Sequence, residues 1–376
     1  MAVLQDPRID KLRITLVDGF SGGGTFSDGS SIVEGTPFLL LNSVDRAVHR
    51  LNVGKAKPLS IEADFHFVDA ARRATDFLKD QLLTRGYINR LGQDIFVHTK
   101  KFETAAPDIL DAIARRSNRG AGRSLFLLDQ KGYTKAPLAT IRSIFDRFKR
   151  AECILTFAVD WLIDYLSERP ENLAAASNVE LSADQVREFV RMRGEEGGRY
   201  AIQRLLLDHL RDRTGASFAT AFFIRSTEAK KALWLVHLSQ HATARNVMVD
   251  SHWSVTNHSI HQGRGGLDIV GFDPKSFDPT TFMFAEHERE MMLHILADDM
   301  ARRIRNLHGT SPVEYGSFVD SIVNQTPARL SDIDTAVGSL ISANSLSVLN
   351  PMQRSKRSMK VARTDFIEIN RQPRFL

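Results

Sequence analysis

Ile14-Thr15-Leu16-Val17-Asp18-Gly19-Phe20-Ser21-Gly22-Gly23-Gly24 sets the organisation of the chain. An apolar, β-branched run reads as a buried strand. It ends at an acid, and a turn almost without side chains follows. Glycine lacks Cβ and tolerates positive φ, so such a turn lets backbone N–H groups approach a ligand closely. The same pattern also closes hairpins, so the rest of the chain must supply the other parts of a nucleotide-type site.

Outward from this stretch, apolar strands alternate with amphipathic helices. Gly35-Thr36-Pro37 opens the first helix, with Thr36 as cap and Pro37 at the first helical position. Leu59-Ser60-Ile61-Glu62-Ala63-Asp64 reads as a second strand ending in acid, before a long helix from about Val68 to Arg85. Strands at Asp94 to Thr99, Ser124 to Asp129 and Ala151 to Val159 follow, with helices at Pro107 to Arg116 and Leu138 to Lys149 between them. This alternation predicts an α/β fold with a Rossmann-like, doubly wound parallel sheet. Ligands bind such sheets at the carboxyl ends of the strands. Asp18, Glu62 and Asp129 fall there on this reading, as does the polar end of strand three from His98 to Glu103.

Residues 160–217 form a charged helical insertion. Two later strand-like runs, Ala219 to Ile224 and Ala232 to Leu238, complete a seven-stranded sheet with an antiparallel edge strand. Asn257 to Thr281 is rich in Gly, His, Asp and Pro, and it separates a first domain, residues 1–260, from a second, 261–376. In the second, helices at Ala285 to Leu307 and Pro312 to Val323 precede a third opening at Arg329, with Ser331 as its cap. Short strands at Leu346 to Leu349 and Met359 to Ala362 flank a basic loop. Helix-turn-helix followed by a two-stranded wing is a winged-helix-like pattern. Arg354, Lys356, Arg357 and Lys360 are its candidate nucleic-acid contacts.

At 376 residues the chain is long enough for two domains of about 100–200 residues each. The net charge of +5 permits a polyanionic partner without requiring one. A single cysteine, Cys153, excludes an internal disulfide and a thiolate metal cluster. No run reaches the roughly 18 apolar residues of a membrane span, and Met1 to Pro7 has no signal-peptide pattern, so a cytoplasmic protein is expected. His237, His241, His252, His258 and His261 cluster in sequence, but their spacing matches no zinc signature. Glu62 and Asp64 with Lys100 or Lys101 can be assembled into a nuclease site only on paper.

The glycine turn does not open directly into a helix and lacks the third glycine of a dinucleotide fingerprint. A nucleoside cofactor site is more permissive. Asp18-Gly19-Phe20-Ser21-Gly22-Gly23-Gly24, Gly35-Thr36-Pro37, Ile61-Glu62-Ala63-Asp64, Phe126-Leu127-Leu128-Asp129-Gln130-Lys131-Gly132-Tyr133 and Trp234 to Leu238, leading to Met248 and Trp253, together resemble the three-Cys-motif partner protein family. The likeness covers residues 10 to 260. The family is similar to class I S-adenosyl-L-methionine (SAM)-dependent methyltransferases, and its name reflects pairing with a protein partner. The resemblance implies SAM as cofactor, with Asp18, Phe20, Gly22 and Gly24 at its methionine end and Glu62 on its ribose. His98 or Phe102 would flank the adenine. Asp129 and Tyr133 would face an acceptor, with nucleic acid as the expected substrate. The family's Asp-Pro at the end of strand four is here Asp129-Gln130. That departure leaves open a catalytically degenerate, partner-dependent interaction protein on the same fold.

Overall fold

The computed structural model describes residues 11–27, 29–54, 58–116, 122–195, 197–224, 233–254, 286–326, 328–356 and 360–370. The chain divides into two compact units. One is drawn from within 1–190, 208–219 and 231–244, the other from within 191–207, 220–230 and 245–376. The boundary read at Asn257 to Thr281 lies outside the described residues.

The first unit is built on β1 (Lys11–Asp18), β4 (Ser60–Asp69), β5 (Ile95–Thr99), β6 (Ser124–Leu128) and β7 (Ala151–Phe157). These run parallel in the spatial order β5-β4-β1-β6-β7. Helices α1 (Thr36–Asn52), α2 (Arg72–Thr84), α3 (Phe102–Arg116) and α4 (Leu138–Arg147) connect them. The sheet continues through β9 (Leu233–Ser239), antiparallel to β7, and ends at β8 (Phe218–Ile224). This is the Rossmann-like, doubly wound, seven-stranded sheet that the sequence predicts. The antiparallel β9 is not at the edge, however. Trp234, Val236 and Leu238 are fully buried on one of its faces and His237 and Ser239 on the other, and strands covered on both faces belong inside a sheet.

Two boundaries differ from the sequence reading in ways that matter for the site. Strand β4 does not stop at Asp64 but runs on through Phe65-His66-Phe67-Val68 to Asp69. Phe65 and Phe67 enter the core with Leu16, Phe38, Leu41, Leu78 and Leu82. This aromatic alternation is strand periodicity, and it outweighs the helical reading of Val68. Helix α3 opens at Phe102, with Pro107 inside its second turn rather than at its start.

A small hairpin, β2 (Thr25–Ser27) paired with β3 (Ile32–Glu34), separates the glycine turn from α1. Its base is pinned by the Gly35 N–H donating to the Gly24 carbonyl at 2.7 Å. The hairpin therefore loops out, and α1 still begins beside the glycine turn. Gly35 itself is the N-cap, in place of the expected Thr36. The insertion is helical: α5 (Val159–Tyr165), α6 (Pro170–Ser177), α7 (Ala183–Arg193) and α8 (Gly198–Thr214). Cys153 is buried in β7, as a small apolar side chain would be.

In the second unit, α9 (Ala242–Ser254, from Arg245 onward), α10 (Glu286–His308), β10 (Val313–Glu314), α11 (Tyr315–Ile322), α12 (Leu330–Ser342), β11 (Leu346–Leu349) and β12 (Phe366–Ile369) follow in order. The three strands form an antiparallel sheet, β10-β12-β11. The last strand is Phe366–Ile369, where Ile367 and Ile369 supply the alternating buried side chains; of the expected Met359 to Ala362, Met359 lies outside the described residues and Lys360 to Ala362 form no strand. Ser331 does not cap α12; Asp332 reaches back to accept the Arg329 N–H at 3.0 Å. Burial disfavours the Asp332 carboxylate, but hydrogen bonds from Arg329 and Arg289 outweigh it and hold its pKa below the usual value. Among the described residues, no helix is long and apolar enough to cross a membrane.

Candidate cofactor site

The carboxyl ends of β4, β1 and β6, three neighbours in the sheet, each deliver an aspartate. Asp18 closes β1, Asp69 closes β4, and Asp129 follows β6 directly. In register, Asp18 sits opposite Phe67 and Leu127, so Asp69 and Asp129 both lie two residues farther along their strands. The turn from Gly19 to Gly24 crosses between them. Its first amide is tied to the sheet by Gly19 N–H donating to the Leu127 carbonyl at 2.8 Å, and Ser21 N–H donates to Val68 at 2.9 Å.

Asp69 holds the turn. Its Oδ2 accepts the Gly22 N–H at 3.0 Å, and its Oδ1 accepts the Ala71 N–H at 2.7 Å just before α2. Each carboxylate oxygen keeps a further acceptor direction, the chemistry needed for a vicinal diol. Glu62, assigned that task from the sequence, cannot perform it. It lies seven residues earlier on β4, toward the opposite end of the sheet, where Lys11 and Arg13 bind it at 2.6 and 2.7 Å. Those two cations hold its carboxyl down at about 2. Asp64 is likewise paired elsewhere, with Arg116 at 2.9 Å. The Phe-x-Phe alternation in the sequence extends the strand as far as Asp69, but it does not say which acid of that strand meets the glycine turn.

The glycines divide by role. Gly22, with φ +56°, has open space where a side chain would point. Gly24, with φ +78°, does not face a ligand: a Cβ there would meet Leu78 Cδ1 at 2.7 Å and Phe38 Cε2 at 2.8 Å. It makes room for the core. Gly24→Ala is therefore expected to cost about 2–4 kcal/mol, from overpacking plus a left-handed backbone. Gly22→Ala should cost only about 1 kcal/mol, from backbone conformation alone. Urea unfolding of the two variants measures the difference.

Phe20 is half-buried and 6.2 Å, ring to ring, from Phe102. Phe102 is 1% exposed, lies beneath Gly19 and packs edge-on against Phe126. It supports the turn from below and does not flank a ligand as expected. His98 hydrogen-bonds His66 at 3.0 Å with the rings stacked. Burial depresses the pKa of both, His66 to about 3, so this is a neutral pair sharing one N–H.

At the β6 end, Asp129 is exposed and accepts the Thr156 hydroxyl at 2.7 Å. Gln130, where the family pattern has proline, is buried. Its Oε1 accepts the Lys135 and Ala136 N–H groups at 2.7 and 2.9 Å, and its Nε2 donates to the Thr156 carbonyl at 3.2 Å. Gln130 thus organises the loop that carries Tyr133. That ring is 5.9 Å from Phe157, and partial burial raises its phenol pKa. Lys131 is exposed. Gln130 and Thr156 were not singled out in the sequence because only the fold joins them.

Among the described residues, no group of three His, Cys, Asp or Glu side chains could hold a metal ion. The basic stretch between β11 and β12 is only partly free. Lys356 pairs with Asp365 at 2.5 Å, Arg354 is exposed, and Lys360 is exposed with an interaction of its own. Arg357 lies outside the described residues.

No family model matches the chain, and no curated protein sequence matches it. Solved structures do. A protein from Legionella pneumophila str. Philadelphia 1 is 10% identical over 66% of this chain and 85% of its own, with a TM-score of 0.33. An rRNA methylase from Streptococcus thermophilus is 12% identical over 63% of this chain and 92% of its own, with a TM-score of 0.27. The plantazolicin methyltransferase BamL, in complex with a triazolic desmethylPZN analog and SAH, is 10% identical over 61% and 77%, with a TM-score of 0.23. All three overlays are loose.

Proposed function

We propose that this chain is a SAM-dependent methyltransferase acting on nucleic acid. The observation that carries the reading is the meeting of Asp18, Asp69 and Asp129 at adjacent strand ends around a glycine turn that is open at Gly22. The residues fit the cofactor. Asp69 would accept from the ribose hydroxyls, Gly22 leaves room for close backbone approach, and Asp18 Oδ2 is a buried acceptor with no partner. Bound there, SAM would supply an electrophilic methyl group on a sulfonium. The chain's own task is positioning, with little acid–base demand. Asp129, oriented by Thr156, would accept a hydrogen bond from the acceptor, and Tyr133 would stack beside it.

The second unit is read as a winged-helix-like module. Its support is the order helix, strand, helix, helix, strand, strand with the sheet order β10-β12-β11. Arg354, Lys356, Arg357 and Lys360 would then contact phosphate from the wing. One observation favours the second reading, a partner-dependent protein of three-Cys-motif partner type. Helix α12, in the place of a recognition helix, carries neither Lys nor Arg between Leu330 and Ser342. A nucleic-acid titration at two salt concentrations separates the two. Affinity that falls with salt supports phosphate contact, whereas salt-insensitive, stoichiometric capture of one protein supports the partner.

Calorimetric titration with SAM tests the cofactor site. Wild type should bind, Asp69→Ala should bind about 10–100-fold more weakly through loss of charge-assisted hydrogen bonds, and Glu62→Ala should bind as wild type. No heat from wild type at millimolar SAM would overturn the reading.

A further inference from the structure

Among the described residues, Asp18 is an acid without a counterion. The residue is 1% exposed. Its Oδ1 accepts the Phe20 N–H at 3.1 Å, while Oδ2 is buried with no partner. The charged groups acting on it are Asp129 from the β6 side and Asp69 from the β4 side, both negative. The lysines at the end of β5 are engaged with other acids: Lys100 holds Asp108 at 2.9 Å and Lys101 reaches Glu103 at 3.9 Å. Lys131, beyond Asp129, is exposed. Burial first, and then the two neighbouring carboxylates, push the Asp18 carboxyl up to about 7, against the Phe20 hydrogen bond. A buried carboxyl oxygen lacking a donor is costly, and three acids gathered with no cation among the described residues leave the electrostatics incomplete. A ligand that brings positive charge completes them.

We propose that Asp18 makes this site select its ligand by positive charge, so that it takes the sulfonium SAM in preference to the net-neutral thioether S-adenosylhomocysteine (SAH), and that Asp18 gives up a proton to solvent when the cation enters. The proposal rests on the SAM reading above. No bond in the ligand changes. Protonated Asp18 ionises, and the charge on the ligand replaces the charge of the proton. By linkage, a site that loses a proton on binding binds more tightly as pH rises toward that group's pKa. Preference for the charged cofactor over its product would also favour product release.

The test is calorimetry of SAM and SAH binding to the full chain between about pH 5.5 and 7, a range in which the ligand's own amine stays protonated. SAM affinity should rise about tenfold across it, and SAH affinity by clearly less. Repeating the SAM titration in two buffers of different ionisation heat should show a proton released at the acid end. Asp18→Asn should bind SAM with no pH dependence and a smaller preference over SAH. The buffer comparison uses wild type alone, so it decides the matter even where the variant folds poorly. SAM binding that is flat with pH, or SAH affinity rising equally, overturns the role of Asp18 and leaves the cofactor reading standing. Failure of both ligands to bind at every pH overturns both.

Discussion

Arg245→Ala is expected to unfold the second unit well below the temperature at which the wild-type unit melts. Arg245 is fully buried on α9. Its Nη1 donates to the Ala328 carbonyl at 2.5 Å and its Nη2 to the Thr326 carbonyl. The next residue, Asn246, accepts the Leu330 N–H at 2.7 Å at the start of α12. Two consecutive side chains thus fasten the turn that launches α12. Burial depresses the guanidinium pKa to about 9, against the pull of Asp250 and Asp332, so the group is charged at neutral pH and held in place by those carbonyls. Truncation leaves two buried carbonyls without donors and a void where a large, fully buried side chain stood. Together these cost about 3–5 kcal/mol. Arg245→Lys should recover only part of this, because one ammonium cannot reproduce the guanidinium fork. Hydrogen exchange across α11, α12 and β11 reads the effect locally. Protection there equal to wild type would show that Arg245 does not fasten this turn.

Asp18→Asn should make the first unit more stable at neutral pH, and the gain should vanish in acid. A folded-state carboxyl raised from 3.8 to about 7 means that the native state prefers the proton. Stability from this group is therefore fully present below about pH 4 and is lost as pH rises through 7. The full span is on the order of 4 kcal/mol, at 1.36 kcal/mol per pKa unit. Asparagine keeps an acceptor for the Phe20 N–H and never ionises. Thermal melts of the two proteins should nearly coincide at pH 4 and separate by several degrees at pH 7.5 in favour of the variant. A variant less stable than wild type at pH 7.5 would contradict the placement of Asp18. An acid kept at a stability cost is what a binding site predicts, since function and stability compete there.

The hydrophobic pattern determined much by itself. Strands β1, β5, β6 and β7 and the helices between them were legible, because β-branched and aromatic runs bounded by Gly, Pro and acid allow little else. With them came the doubly wound sheet and the end of it at which a ligand belongs. Asp18 and Asp129 were found for that reason, since each directly closes a strand whose apolar run is unambiguous.

Tertiary structure alone decided which acid is the third. Glu62 and Asp69 both lie on β4, and choosing between them requires the register with β1, a pairing across about fifty residues of sequence. Only the register shows that Glu62 meets Lys11 and Arg13 at the far end, while Asp69 reaches Gly22. The same holds for Gly24, whose neighbours Phe38 and Leu78 come from two different helices, and for Gln130 and Thr156, joined across two strands. Charge balance is the last such property. The sequence shows an aspartate before a glycine turn, but whether its carboxylate finds a donor depends on burial and on every neighbour the fold brings near. Periodicity along a chain records which face of an element is apolar; it carries no record of what that face meets.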